Sequence, residues 1–183
     1  MIYYFTTYHR GGLGHAKNAI CRIVPDTTDG EANRIGLIDA DVMLFPTHWG
    51  TLVSDAIRKN PYFSAFCCRA NRCHNTSQQL VAHLKDEPNL IILKHAATEI
   101  AAKHGTEVEE ITTGVSGFFL LFPKSLWKTY PFPVIDTLGR RNLGIETDWI
   151  RVLRRDGHKI GMLKGLMAVH YYRMDTNSRA HLT

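Results

Sequence analysis

Ile35-Gly36-Leu37-Ile38-Asp39-Ala40-Asp41 is the stretch on which the reading of this chain turns. It is an apolar strand that ends in two acids separated by one residue. In an extended chain, positions two apart project to the same side. Asp39 and Asp41 therefore converge on one point at the carboxyl edge of a sheet, where ligands of open α/β sheets gather. Two like charges held close together cost energy unless a cation or hydrogen bonds offset them. A hard divalent cation such as Mg²⁺ or Mn²⁺, itself carrying substrate phosphates, is the complement. An Asp-x-Asp tripeptide alone serves equally well to cap a turn and helix, so its surroundings must decide.

Upstream, Ile2 to Phe5 is a β-branched and aromatic strand, followed by a Gly-rich turn from Thr6 to Gly14. Ala16, Ile20, Ile23 and Val24 recur at helical spacing, and Pro25 closes that helix. Downstream, Trp49, Leu52, Val53, Ala56 and Ile57 form the stripe of a second helix, stopped at Asn60-Pro61. A strand follows at Ser64 to Cys68. The stretch from Asn71 to Asn89 is polar and carries no clear period. Ala96, Ala97, Ile100 and Ala101 predict a helix ending at Gly105, then strands at Val108 to Thr112 and Phe118 to Phe122. Ile145 to Arg155 reads as a helix with Trp149, Ile150 and Leu153 inward and Gly157 as its stop. Strands are expected at Ile160 to Met162 and at Leu166 to Val169, and the polar residues 174–183 as a mobile tail. Alternating strands and helices point to an α/β sheet.

The 183 residues suit one domain, 1–183. No stretch approaches the roughly 20 apolar residues needed to cross a bilayer, and the N-terminus has no signal-peptide pattern. A cytoplasmic protein with no membrane partner is the expectation. Four cysteines, Cys21, Cys67, Cys68 and Cys73, make no disulfide framework in a chain of this size. Cys67 and Cys68 are neighbours on a strand and face opposite ways, so burial outweighs a zinc site with Cys73-His74. The formal net charge of +5 favours an anionic partner without choosing among nucleotide, nucleic acid and membrane surface.

Leu37 to Asp41, Gly114-Val115-Ser116-Gly117-Phe118-Phe119-Leu120-Leu121-Phe122 and Glu146-Thr147-Asp148-Trp149-Ile150-Arg151 together resemble family 2 glycosyltransferases of GT-A fold. Gly14-His15-Ala16-Lys17-Asn18 is similar to that family's early Gly-x-Ala-x-Asn segment. Arg155-Asp156-Gly157-His158-Lys159-Ile160 and Val169-His170-Tyr171-Tyr172 continue the succession in the family's order. The resemblance implies a GT-A (Rossmann-like) α/β fold, an open mixed sheet flanked by helices in a single minimal domain.

It also implies roles. Asp41, Asp39 and His170 would hold Mn²⁺ or Mg²⁺ at the diphosphate of a nucleotide-sugar, most often a UDP-sugar, with Asp39 on the ribose or the metal's water shell. Gly114, Ser116 and Gly117 would lie beneath the transferred sugar. Only 38 residues precede Asp39, so Phe5 to Tyr8 (Thr6 and Thr7 among them) and Asn18 would have to make the base pocket. Arg140 and Arg141 would clamp phosphate. Glu146 stands at the family's catalytic-base position, where Asp is commoner; Asp148 is the alternative. On a helix the two lie about 200° apart, so only one faces the site unless the helix begins between them.

The expected activity is a metal-dependent, inverting transfer of a sugar to an acceptor hydroxyl. The acceptor stays open. A hydroxymethylated pyrimidine in DNA would enlist Arg69, Arg72, Arg140, Arg141, Lys164 and Arg173 on phosphates. A saccharide or glycan is the other choice, and an inactive nucleotide-sugar or nucleic-acid binding module is the reading from another class.

Overall fold

A computed structural model describes residues 1–7, 12–26, 32–80, 82–136, 138–140 and 144–171. The tail 174–183, Tyr8, Arg141 and Arg173 lie outside the described residues. The strands are β1 (Ile2–Thr6), β2 (Arg34–Ile38), β3 (Val42–Phe45), β4 (Ala65–Ala70), β5 (Val108–Glu110), β6 (Phe119–Pro123) and β7 (Ile160–His170). The helices are α1 (Leu13–Ile23), α2 (Trp49–Lys59), α3 (Leu90–His104), α4 (Lys124–Thr129) and α5 (Ile145–Arg155).

The chain is α/β, with an open mixed sheet of seven strands in the order β1-β2-β6-β4-β7-β3 and β5 paired to β7. β1, β2, β4 and β7 run the same way, and β6, β3 and β5 run against them. The carboxyl ends of β1, β2, β4 and β7 therefore share one edge with the start of β6, and the chemistry-bearing residues gather there.

Strand alternation splits the core between the two faces of the sheet. Ile35, Leu37, Cys67, Leu120 and Phe122 pack with α1, α4 and α5; Phe66, Cys68, Phe119 and Leu121 pack with α2. All four cysteines are free and buried, and Cys67 and Cys68 do face opposite ways. Burial pushes the Cys67 and Cys73 thiols up to about 12, so both stay protonated. In the first core Trp149 lies between Phe122 and Phe132, at ring separations of 4.9 and 4.6 Å, and donates to the Tyr130 carbonyl. That packing sets the roll of α5, and with it the direction of Glu146. Among the described residues no helix is long and apolar enough to cross a membrane.

Two expectations need correction, on β7 and on α1, and β3 and α4 are elements beyond those expected. The two final strands are one, β7, whose pairing with β4 slips between Cys68 and Arg69 so that residues 164–166 are passed over. The Asn71–Asn89 stretch contains two 3₁₀ turns, at Thr76–Gln78 and Ala82–Leu84. In α1 the buried residues are Gly14, Lys17, Asn18 and Cys21, while Ile23 is 69% exposed.

Candidate metal centre and its neighbours

The loop after β2 is short, so Val42 pairs at once with His170, the last residue of β7. Asp41 thereby stands beside His170, with its carboxylate Oδ1 3.4 Å from the imidazole Nε2. Asp39 completes the group: one ligand atom from each of Asp39, Asp41 and His170 lies within 4.8 Å of the others. The backbone locks this arrangement. Asp39 N–H donates to the Phe118 carbonyl (3.0 Å), and Tyr171 N–H donates to the Asp41 carbonyl (2.9 Å).

The ring orientation of His170 tests whether a cation fits. Its Nδ1 lies 2.9 Å from the Arg72 carbonyl, which can only accept, so Nδ1 carries the proton. Nε2 faces the Asp41 carboxylate at 3.4 Å, and the pair can share either a proton, as a hydrogen bond, or a metal cation. A histidine whose second nitrogen donates to a backbone carbonyl is the usual outer-shell arrangement of a metal ligand. The residues present fit a divalent cation.

The electrostatics agree with crowded negative charge. Burial raises the Asp39 carboxyl above its ordinary value, Lys17 opposes that rise, and Glu146 adds to it. Asp41 is held below its ordinary value, chiefly by its hydrogen bond with His170.

Glu146 and Asp148 both lie in the first turn of α5 and both are buried, but they serve different neighbourhoods. Glu146 turns under the loop that precedes β6. A Cβ built on Gly117 would fall 2.1 Å from Glu146 Cγ, so only glycine leaves that side chain its place. Its Oε1 is 3.0 Å from Nζ of Lys17, whose side chain is wholly buried. Asp148 instead pairs with Arg151 and borders a cavity of about 430 Å³ with Tyr130, Pro133, Asp136 and Trp149. The helix separates the two acids as its geometry requires.

The other predicted residues divide. Thr6 and Thr7 sit at the end of β1 beside Ile38, with Thr7 N–H on the Ile38 carbonyl, on the same edge as Asp39. Ser116 is engaged through its backbone, its N–H donating to Gln78 Oε1 at 2.6 Å. Gly114 accepts from Asn75 through its carbonyl. Asn18 lies away from this edge in its contacts: its amide donates to the Phe132 carbonyl and accepts from Trp127 Nε1 and Phe132 N–H. It clamps α1 to the segment after α4. Arg140 is tied to the buried carboxylate of Asp136 at 2.6 Å, and Arg141 lies outside the described residues.

Among the described residues, the cations expected on DNA phosphates are each paired with an acid or buried. Arg69 meets Glu109 at 3.5 Å, Lys164 meets Glu107 at 2.9 Å, and Arg72 is buried.

Sequence reasoning missed Lys17 and Gln78. Gln78 is completely buried and links the Cys68 carbonyl to the Ser116 backbone. Lys17 lies off the apolar stripe read for α1 and Gln78 in the stretch without a period, so neither carried a signal in the hydrophobic pattern.

In comparison with known proteins, no family model matches this chain and no curated protein matches it. The chemistry of the site has to be argued from its own residues.

Proposed function

We propose that the chain is a metal-dependent, inverting glycosyltransferase of GT-A type, using a nucleotide-sugar as donor. The observation that carries this reading is the convergence of Asp39, Asp41 and His170 at the carboxyl edge of the sheet, with Glu146 alongside beneath Gly117. Two carboxylates and one imidazole mix ligand types suited to Mg²⁺ and to softer metals, a combination that Mn²⁺ tolerates well. Bound there, the cation would offset the charge of the departing diphosphate.

The chain's own residues supply the rest. The loop from Gly114 to Gly117, held from behind by Gln78 and Asn75, offers the sugar a rigid backbone surface with little side chain. Glu146 accepts the proton of an acceptor hydroxyl. The acceptor oxygen forms its bond to the anomeric carbon as the bond from that carbon to the phosphate oxygen breaks, and the diphosphate leaves with the electron pair. One displacement inverts the anomeric centre. Of the two acids, Glu146 is favoured as base because Asp148 turns to another cavity.

For the acceptor, a saccharide hydroxyl is favoured over a DNA base by one observation: Arg69, Lys164 and Arg140 are each paired with an acid. The experiment is a screen of nucleotide-sugars with Mn²⁺ against glycans and against duplexes containing hydroxymethylated pyrimidines, read by mass. A hexose-sized gain on a glycan, insensitive to salt, supports this acceptor; a gain confined to the modified base, with binding that falls steeply with salt, replaces it with DNA. No nucleoside diphosphate released from any donor would remove the transferase reading itself.

A further inference from the structure

Lys17 is the least expected side chain near the site. A wholly buried lysine is rare unless paired, because desolvating an ammonium costs several kcal/mol, an order-of-magnitude figure. The fold goes to some length to place it. Gly14, one turn earlier, lies so close to the Pro133 carbonyl that a Cβ there would approach its oxygen to 2.0 Å. Asn18, the next residue, is bound three ways to Phe132 and Trp127. Between these two anchors, Lys17 reaches its ammonium to 3.0 Å from Glu146 Oε1, with the Phe132 ring 5.9 Å away. The contact with Glu146 lies outside hydrogen-bond geometry, so the attraction is one of charge.

Three carboxylates, Asp39, Asp41 and Glu146, crowd this edge, and their mutual repulsion has to be divided somehow. A cation entering there would be bound by whichever carboxylates are free to turn toward it. We propose that Lys17 is a positioning residue that sorts the three acids: it holds Glu146 out of the metal's reach, as the proton acceptor, and leaves Asp39 and Asp41 to the metal. This inference rests on reading Asp39, Asp41 and His170 as a metal site. It does not require that sugar transfer be the reaction.

The test titrates Mn²⁺ itself, by electron paramagnetic resonance and calorimetry, into the whole chain without donor. The variants are Lys17→Met, Glu146→Gln and the double variant. Removing one unit charge from a partly buried site at an effective dielectric near 20 changes the affinity for a divalent cation by at least about tenfold. Lys17→Met is therefore expected to bind Mn²⁺ at least about tenfold more tightly, Glu146→Gln more weakly, and the double variant close to the parent. A lysine that only filled space would leave Lys17→Met at the parent's affinity. Lys17→Met should also lower kcat for donor turnover with little change in KM, and Lys17→Arg should restore part of it. If Lys17→Met alone fails to fold, Glu146→Gln against the double variant carries the same comparison: the double variant strands neither buried charge, and Glu146→Gln keeps the ammonium whose effect on Mn²⁺ is being read. Equal Mn²⁺ affinity across that pair overturns the proposal. Failure of the transferase reading would appear instead as absent turnover in the parent, with the Mn²⁺ series intact.

Discussion

His170 Nε2 and Asp41 Oδ1 stand 3.4 Å apart because Val42 and His170 are partners across the β3–β7 ladder. Residues 129 positions apart in sequence, the second acid after β2 and the last residue of β7, are joined by one register. A one-residue slip of that register moves His170 to the wrong face, since side chains alternate along a strand. The Asp39, Asp41 and His170 cluster is thus as well defined as the pairing of β3 with β7.

Removing charge from this centre while keeping its shape should weaken metal binding. Asp41→Asn is expected to raise the Mn²⁺ dissociation constant by at least about tenfold, equivalent to ~1.4 kcal/mol, as read by calorimetric titration. Parent-like affinity would remove Asp41 from the ligand set.

Gly117→Ala tests the packing beneath the sugar loop. The added methyl would overlap Glu146 Cγ at 2.1 Å. Overpacking of this kind costs about 1–3 kcal/mol, and Glu146 must shift. Lower thermal stability together with a loss of turnover larger than the loss of donor affinity is the expected pattern.

Gln78→Leu should loosen the same loop from the other side. It leaves the Ser116 N–H and the Cys68 carbonyl without their partner, at about 1–3 kcal/mol for a buried unsatisfied group. Hydrogen exchange at Ser116 is expected to rise, with little change at β1.

Acid sensitivity should map to Asp136. Burial opposes its ionisation, but the Arg140 N–H, the Arg140 guanidinium and the Leu138 N–H outweigh it and hold the carboxyl below its ordinary value of 3.8. A folded-state value below the unfolded one stabilises above the unfolded pKa, and the stabilisation is lost as pH falls through the folded value. The gap in melting temperature between parent and Asp136→Asn should therefore be full at neutral pH and shrink below about pH 4. A gap independent of pH would contradict this.

Much of the arrangement could be read in the chain because local signals agreed with the fold. α5 begins and ends where the Trp149, Ile150 and Leu153 stripe and Gly157 place it. β2 and its two acids follow from the apolar run before Asp39. β3 was hidden because it starts immediately after Asp41, with no intervening run of turn residues. β7 read as two strands because Lys164-Gly165 interrupts its apolar run, although the chain continues through, with Gly165 passing close to the Gly105 carbonyl. The apolar spacing of α1 showed only part of its inward face: Ile20 and Val24 pack on the core, but Ile23 is exposed, and the fold buries Gly14, Lys17 and Cys21, with Lys17 meeting Glu146. A hydrophobic pattern cannot register a buried charge whose partner lies on a distant helix.

The measurement that bears most directly on the central claim is nucleoside diphosphate release from nucleotide-sugars, with Mn²⁺ and in chelator, for the parent and Glu146→Gln. The account predicts release that needs Mn²⁺, and, at saturating Mn²⁺, a fall of roughly 10²-fold or more in Glu146→Gln with donor affinity retained, as for loss of a general base. Release that persists in chelator, or full turnover in Glu146→Gln, would contradict it.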